Sequence, residues 1–526
     1  MRRLAGLVLL GALLAVGSAA AQTFRYASTG DLLTLDPHSA DEALSNSFKN
    51  NVHEGLVRFN EKLEPEPALA VSWKNVDPVT WRFQLRREVT FHDGTPFTAD
   101  DVVFSYNRQR SKNSVMASHV ATIKSVRKID DYTIEYVTVG PDPILLRNLT
   151  EHFIVSKKWC EQHATTEPVA GLKEETYATR HENGTGPFQV VERLPDTRTV
   201  LVPYPKWWDL PNKKYAITRA EFRPIANAAT RLAALISGEL ELAYPVAPQD
   251  VARVEGQKGF RVIKKPELRV VYLGMDQWRD ESLDMPGSKK NPFKDVRVRR
   301  ALYQAIDVEA IRAKVMRGMA APTGLTIPEG TEGYDAKLRE RYPYDPAASR
   351  KLLAEAGYPD GFPVTFDCPN DRYINDEAIC QSLVPMLARV GVKATLNSQT
   401  KSKHFDKILR KSNNNTSLFL LGFSPETADA MATFVPTMTM KGEGAGAWNA
   451  GRYSNPKVEE LVDQIRVEMN QEKRRALMSE VLRIHKEDFG HLPLHEQLII
   501  WGVRDGVEVT PDARDRVQLR FVKMRQ

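Results

Sequence analysis

Two hydrophobic periods alternate along the chain. In TWRFQLR, Trp81, Phe83 and Leu85 share one parity and Arg82, Gln84 and Arg86 the other, which predicts a strand buried on one face. YTIEYV repeats the pattern with Tyr132, Ile134 and Tyr136. Elsewhere the period becomes helical. DVRVRRALYQAID carries a capping Asp295 and a stripe of Val298, Ala301, Leu302, Ala305 and Ile306. In DPAASRKLLAEAG, Asp345 caps, Pro346 takes the first turn and Gly357 supplies a left-handed stop. Strands and helices interleave throughout, with no repeat at a period of roughly 20 to 50 residues, so solenoids and propellers drop out. No long Gly/Ser or Pro-rich linker separates the segments. The expectation is an α/β protein of several lobes, between which the chain crosses more than once, leaving a cleft with a hinge.

Composition narrows the class. The 526 residues suffice for about three to four domains or lobes. With 42% hydrophobic and 27% charged residues, the chain can bury a large core. Its net charge of +6 is spread along the sequence rather than gathered into a basic tract, which argues against nucleic acid as a partner. At the start, Arg2 and Arg3 precede an apolar run from Leu4 to Val16 and the small residues Ala19, Ala20 and Ala21. This is the layout of a secretory signal peptide over residues 1–21, cleaved before Gln22. The run falls short of the roughly 20 residues that span hydrocarbon, so no permanent membrane anchor is expected. The context of the two arginines lacks the longer twin-arginine pattern, and no Cys follows the small residues to take a lipid. A free, soluble, periplasmic protein is the expectation. In that oxidising compartment the nearest two of the three cysteines, Cys368 and Cys380, can close a loop of about 13 residues, for a stabilisation of about 3 kcal/mol. Cys160 would be left over; the alternative is three buried thiols.

A secreted hydrolase is the competing class, and its motifs are missing. GFSPE is the nearest approach to a nucleophile elbow, yet Pro425 after Ser424 has no N–H to lend an oxyanion. His491 and His495 are four apart, but Pro493 between them breaks a helical face, so they read as structural histidines rather than zinc ligands. GTGPF at Gly184 to Phe188 and GEGAG at Gly442 to Gly446 lack a phosphate-cradling pattern and read as turns. No catalytic residues, metal ligands or cofactor are expected.

Several segments in order resemble the extracytoplasmic solute-binding proteins, family 5, of dipeptide, oligopeptide and nickel ABC importers. They begin with LAVSWKNVDPVTWRFQLRREVTFHDGTPFTADDVVFSYNR, Leu69 to Arg108, which is similar to the family signature. GTGPFQVVERLPDTRTVLVPYPKWWD, TRLAALISGELELAYPV, NPFKDVRVRRALYQAID and YPYDPAASRKLLAEAGYPDGFPVTF follow, and HLPLHEQLIIWGVR fits at the C-terminal end. The resemblance implies a two-lobed type II periplasmic clamshell with discontinuous lobes. Residues 22–52, 186–268 and 493–526 would form lobe I, 53–185 an extra subdomain of lobe I, and 269–492 lobe II.

The resemblance also implies a function: capture of a small solute, di- or oligopeptide first, in the interlobe cleft, and its delivery to a membrane permease by a monomeric carrier. Arg372 in CPNDRYINDE matches the arginine that fixes a peptide carboxylate, a task suited to a guanidinium fork. If Cys368 and Cys380 pair, the bridge would brace that loop. Glu426 stands at the acid position of the amine-binding motif, but in GFSPE rather than G-W-x-x-D, with Asp429 close behind. Trp448, Asn449 and Tyr453, and Ser28 in the early loop Ala27 to Leu32, match stretches that border the pocket. The alternatives are a carrier of a metal chelate, opine or other organic acid, and, remotely, a secreted hydrolase.

Overall fold

The computed structural model of the protein describes residues 22–525 apart from 170–173, 286, 288–289, 410–413 and 443–444. The signal segment, and part of the GEGAG turn, lie outside the described residues. Two long antiparallel strands, Phe260–Met275 and Leu492–Arg504, organise the molecule. At one end, the second of them pairs with Leu242–Ala243, and the sheet continues through Thr23–Ser28, Arg219–Pro224, Arg198–Pro203 and Phe188–Leu194. At the other end, Phe260–Met275 pairs with Leu418–Phe423, followed by Pro363–Pro369 and Lys393–Gln399. Each end carries its own core. Phe24, Tyr26, Phe222 and Trp501 anchor the first, and Leu273, Leu302, Phe366 and Leu420 the second. Two lobes therefore share a pair of continuous strands.

Those strands are irregular where the lobes meet. The ladder runs from Phe260 opposite Arg504 to Pro266 opposite Leu498, then resumes at Val270 opposite Glu496. Glu267, Leu268 and Arg269 fall out of register against Gln497. A bulge of this kind bends a strand and redirects its side chains. Leu268 turns into a small cluster with Phe59, Leu63 and Ala428, and its N–H donates to Ala513 O at 2.7 Å.

A second, four-stranded antiparallel sheet orders Ala70–Asp77, Thr80–Leu85, Thr133–Thr138 and Ile123–Asp130. Trp81, Phe83 and Leu85 point into its core, as the alternation predicts, with Phe83 edge-on to Tyr136 at 5.4 Å. Tyr132 differs from expectation: it lies in the turn before the strand. Glu135, on the outward parity, is nevertheless buried because Arg82 and Arg127 both close over it.

The helical expectations are met at their caps. Asp295 accepts from Arg297 N at the start of Val296–Ala305, whose stripe is buried. Asp345 accepts from Ala348 N at the start of Pro346–Glu355, and Gly357 adopts φ +93°. Gly184 is required by close approach, since a Cβ there would lie 1.9 Å from Val52 O.

Candidate binding site between the lobes

The loop from Pro369 to Asp376 is fixed at both ends. It leaves the strand Pro363–Pro369 and enters the helix Asp376–Ala388, and the Cys368–Cys380 disulfide ties strand to helix. Cys160 is free and buried. Within the loop, Asp376 Oδ2 accepts the N–H groups of Arg372 and Tyr373, each at 2.9 Å. The Tyr373 hydroxyl donates to Gly422 O at 3.1 Å, and its ring fits only because residue 422 is glycine: a Cβ would meet the ring at 2.7 Å. Ile374 N donates to Gln497 Oε1 at 3.1 Å, so the loop is hydrogen-bonded to the bulge between the lobes.

This frame presents Arg372. Its side chain is half-buried, with the guanidinium carbon 5.1 Å from the Tyr373 ring centre. Among the described residues no carboxylate or carbonyl accepts from the guanidinium. Burial, and next the neighbouring Arg269 guanidinium, lower its pKa from the usual arginine value. A partly desolvated cation without a counter-ion is a receptor for an anion.

Glu426 lies across the same junction. Arg516, from the C-terminal segment, donates to its Oε2 at 2.7 Å, and the carboxylate side chain stays 32% exposed. Arg516 is itself buried and donates also to Glu151 Oε1 at 2.8 Å, an atom shared with Arg514. Burial works against the charge on Arg516, but Glu151 and Glu426 outweigh it and raise its pKa. Arg147 adds a further link, from its Nη1 to the carbonyls of Thr427 and Ala428. Trp448 is half-buried and meets Phe405 and Phe423 edge-on at 5.6 and 6.0 Å, forming an aromatic wall beside the Gly422 strand.

The remaining candidates are engaged with partners inside the fold. Both oxygens of Asp429 are held by Arg474, at 2.7 and 2.9 Å, with both side chains buried. Asn449 brackets Tyr453, accepting from its N–H and donating to its carbonyl, while the Tyr453 hydroxyl donates to Asp488 at 2.8 Å. These three residues brace the interior of the second lobe. Ser28 is buried at the end of the first strand, where its carbonyl accepts from Ile225 N. His491 and His495 are buried, and His491 Nδ1 lies 2.9 Å from His485 Nε2.

Sequence reasoning missed Arg269, Glu267, Gln497 and Arg516. No local signal marked them: Glu267 and Arg269 follow Lys264, Lys265 and Pro266 at the head of an apolar run, and Gln497 follows His495 and Glu496. Two small, partly open cavities lie elsewhere, where the four-stranded subdomain meets the first lobe. The larger, about 30 Å³, has Glu54, Arg58, Arg514 and Arg520 in its wall and has room for little more than water. Among the described residues, no group of three His, Cys, Asp or Glu side chains is placed to hold a metal, and no helix is long and apolar enough to cross a membrane.

Two lobes on shared strands, with an unpaired arginine and a half-exposed carboxylate at their junction, define a clamshell solute-binding protein. The chain belongs to the bacterial extracellular solute-binding proteins, family 5, whose pattern matches residues 64–445. It is 27% identical over 477 residues to the glutathione-binding protein GsiB of Shigella flexneri, covering 87% of this chain and 86% of that one. It is also 27% identical over 485 residues to heme-binding protein A of Haemophilus influenzae, covering 88% and 84%. The structure of DppA from Helicobacter pylori in complex with the peptide STSA superposes with a TM-score of 0.79 at 23% identity, covering 96% and 98%.

Proposed function

We propose that the protein captures short peptides through their C-terminal carboxylate and delivers them, unchanged, to an ABC importer permease. The observation that carries this reading is Arg372, a partly desolvated guanidinium with no acceptor among the described residues, held on a disulfide-braced loop at the lobe junction. The glutathione-binding and peptide-bound relatives support it. In this reading the signal peptide ends at Ala21 and the mature carrier works as a periplasmic monomer without a lipid. Lobe I comprises 22–52, 186–268 and 493–526, its extra subdomain 53–185, and lobe II 269–492. Arg372 and Glu426 contact the ligand, and Trp448 walls it. Asp429, Asn449, Tyr453 and Ser28 serve the framework. A ligand that touches both lobes favours the closed form, and reversing a 1:99 hinge equilibrium takes about 5.5 kcal/mol of differential binding.

Calorimetric titration of a short-peptide panel into the wild type and Arg372→Gln tests the reading. The variant should lose roughly tenfold or more in affinity while keeping its melting temperature. Unchanged peptide affinity would refute the assignment. A second reading, an organic acid without an amine, is favoured by one contact: Arg516 already occupies one oxygen of Glu426. N-acetylation of the peptide separates the two, because a true amine site loses affinity on acetylation and an acid carrier does not.

A further inference from the structure

We propose that Arg269 is a second ligand-contacting residue and that, together with Arg372, it clamps the carboxylate of the bound solute from two sides. The inference deepens the reading above and rests on a carboxylate entering at Arg372.

The bulge supplies the geometry. By interrupting the ladder between Pro266 and Val270 it frees Glu267 and Arg269, two residues apart, from regular strand pairing. Arg269 is 6% exposed, yet only its Nε is engaged, donating to Glu267 Oε1 at 2.7 Å. Neither Nη has a protein acceptor among the described residues. Glu267 Oε2 accepts from Gln497 Nε2 at 2.6 Å, and Gln497 Oε1 accepts from Ile374 N, two residues beyond Arg372. A continuous chain of three hydrogen bonds thus links Arg269 to Ile374 in the loop that carries Arg372.

Arg372 lies close enough to Arg269 to feel its positive charge, and the nearby carboxylate, Glu267, is hydrogen-bonded to Arg269 alone of the two. Like charges in a poorly solvated place repel, and their free N–H forks require acceptors. A ligand carboxylate, with about four lone-pair sites, can take a fork from each arginine and relieve both penalties. A purely structural Arg269 would need only its contact with Glu267, which a lysine can keep. The free Nη groups mark the difference.

The test is calorimetry with four probes: trialanine, trialanine C-terminal amide, glutathione and glutarate. The proteins are wild type, Arg269→Lys, the charge-neutral pair Glu267→Gln with Arg269→Gln, and Arg372→Gln. Arg269→Lys, which retains a cation for Glu267, should bind the free acids roughly tenfold or more weakly and the amide within twofold of wild type. The neutral pair should show the same selectivity. Wild-type affinity of Arg269→Lys for every acid, or equal losses for acid and amide, would overturn the clamp. The outcomes separate the two proposals. Glutarate bound without peptide, and weakened by Arg269→Lys, keeps the clamp and removes the peptide reading. Peptide binding lost in Arg372→Gln but intact in Arg269→Lys does the reverse. No binding of any carboxylate overturns both.

Discussion

Three arginines meet carboxylates in three different ways. Arg474 holds both oxygens of Asp429 in the interior, Arg516 holds one oxygen of a half-exposed Glu426, and Arg372 holds none. In the first arrangement both partners are buried. Removing one partner of a buried pair leaves an uncompensated charge, so Asp429→Ala should destabilise the fold by about 3–5 kcal/mol, read by urea unfolding, with ligand affinity per folded molecule unchanged. Loss of affinity with stability intact would instead put Asp429 in the pocket. Glu426 and Asp429 are three residues apart and indistinguishable as loop acids in the sequence. Their partners lie 90 and 45 residues away, which only the fold reveals. Arg372 was legible because its loop resembles a known motif, whereas Arg269 was hidden by its position at the head of an apolar run.

At the scale of elements, local rules held where the determinants were local. Asp295, Asp345 and Gly357 set helix ends through backbone contacts within a few residues, and the stripe from Val298 to Ile306 needed only its period. The bulge could not be read this way, since it arises from the register between strands more than 200 residues apart. The Cys368–Cys380 bridge confirms one of two open readings and places a covalent brace beside Arg372. Reduction should lower stability by about 3 kcal/mol in the chain-entropy model. It should also weaken ligand binding, because the loop loses preorganisation. Unfolding and titration with and without reductant measure both effects. Equal affinity in the two states would show that Asp376 and Gln497 hold the loop unaided.

Over the whole molecule, the two-lobed plan was legible from ordered segments rather than from any single motif, and the shared strands supply its mechanical logic. Buried histidines contribute to the pH response, opposed by Asp515, a carboxyl that burial pushes up to about 8. His38, His53, His152, His404, His485, His491 and His495 are all held below the ordinary value of 6.5, by burial first. They stay neutral in the fold while the unfolded chain protonates below about pH 6.5. Their contribution is complete above that pH and falls on acidification, through about 4 for His53, His404 and His495 and about 3 for His152 and His485. Two histidines oppose them. Burial lowers His92 and His119, but Glu182 and Asp41 respectively outweigh it and raise both, so their contribution is complete below 6.5 and is lost as the pH rises above it. Seven histidines against these two and Asp515 predicts a melting temperature that drops from pH 7 to pH 5, with net proton uptake on unfolding in scanning calorimetry. A flat profile would contradict this balance.

The central claim, a carboxylate-bearing peptide in the interlobe cleft, is tested most directly by what the protein carries. The protein is purified from its own host without refolding, denatured, and its released small molecules are identified by mass spectrometry. The account predicts one or more short peptides with a free C-terminal carboxyl, present in the wild type and depleted in Arg372→Gln. A bound solute with no carboxylate, retained equally by both proteins, would contradict it.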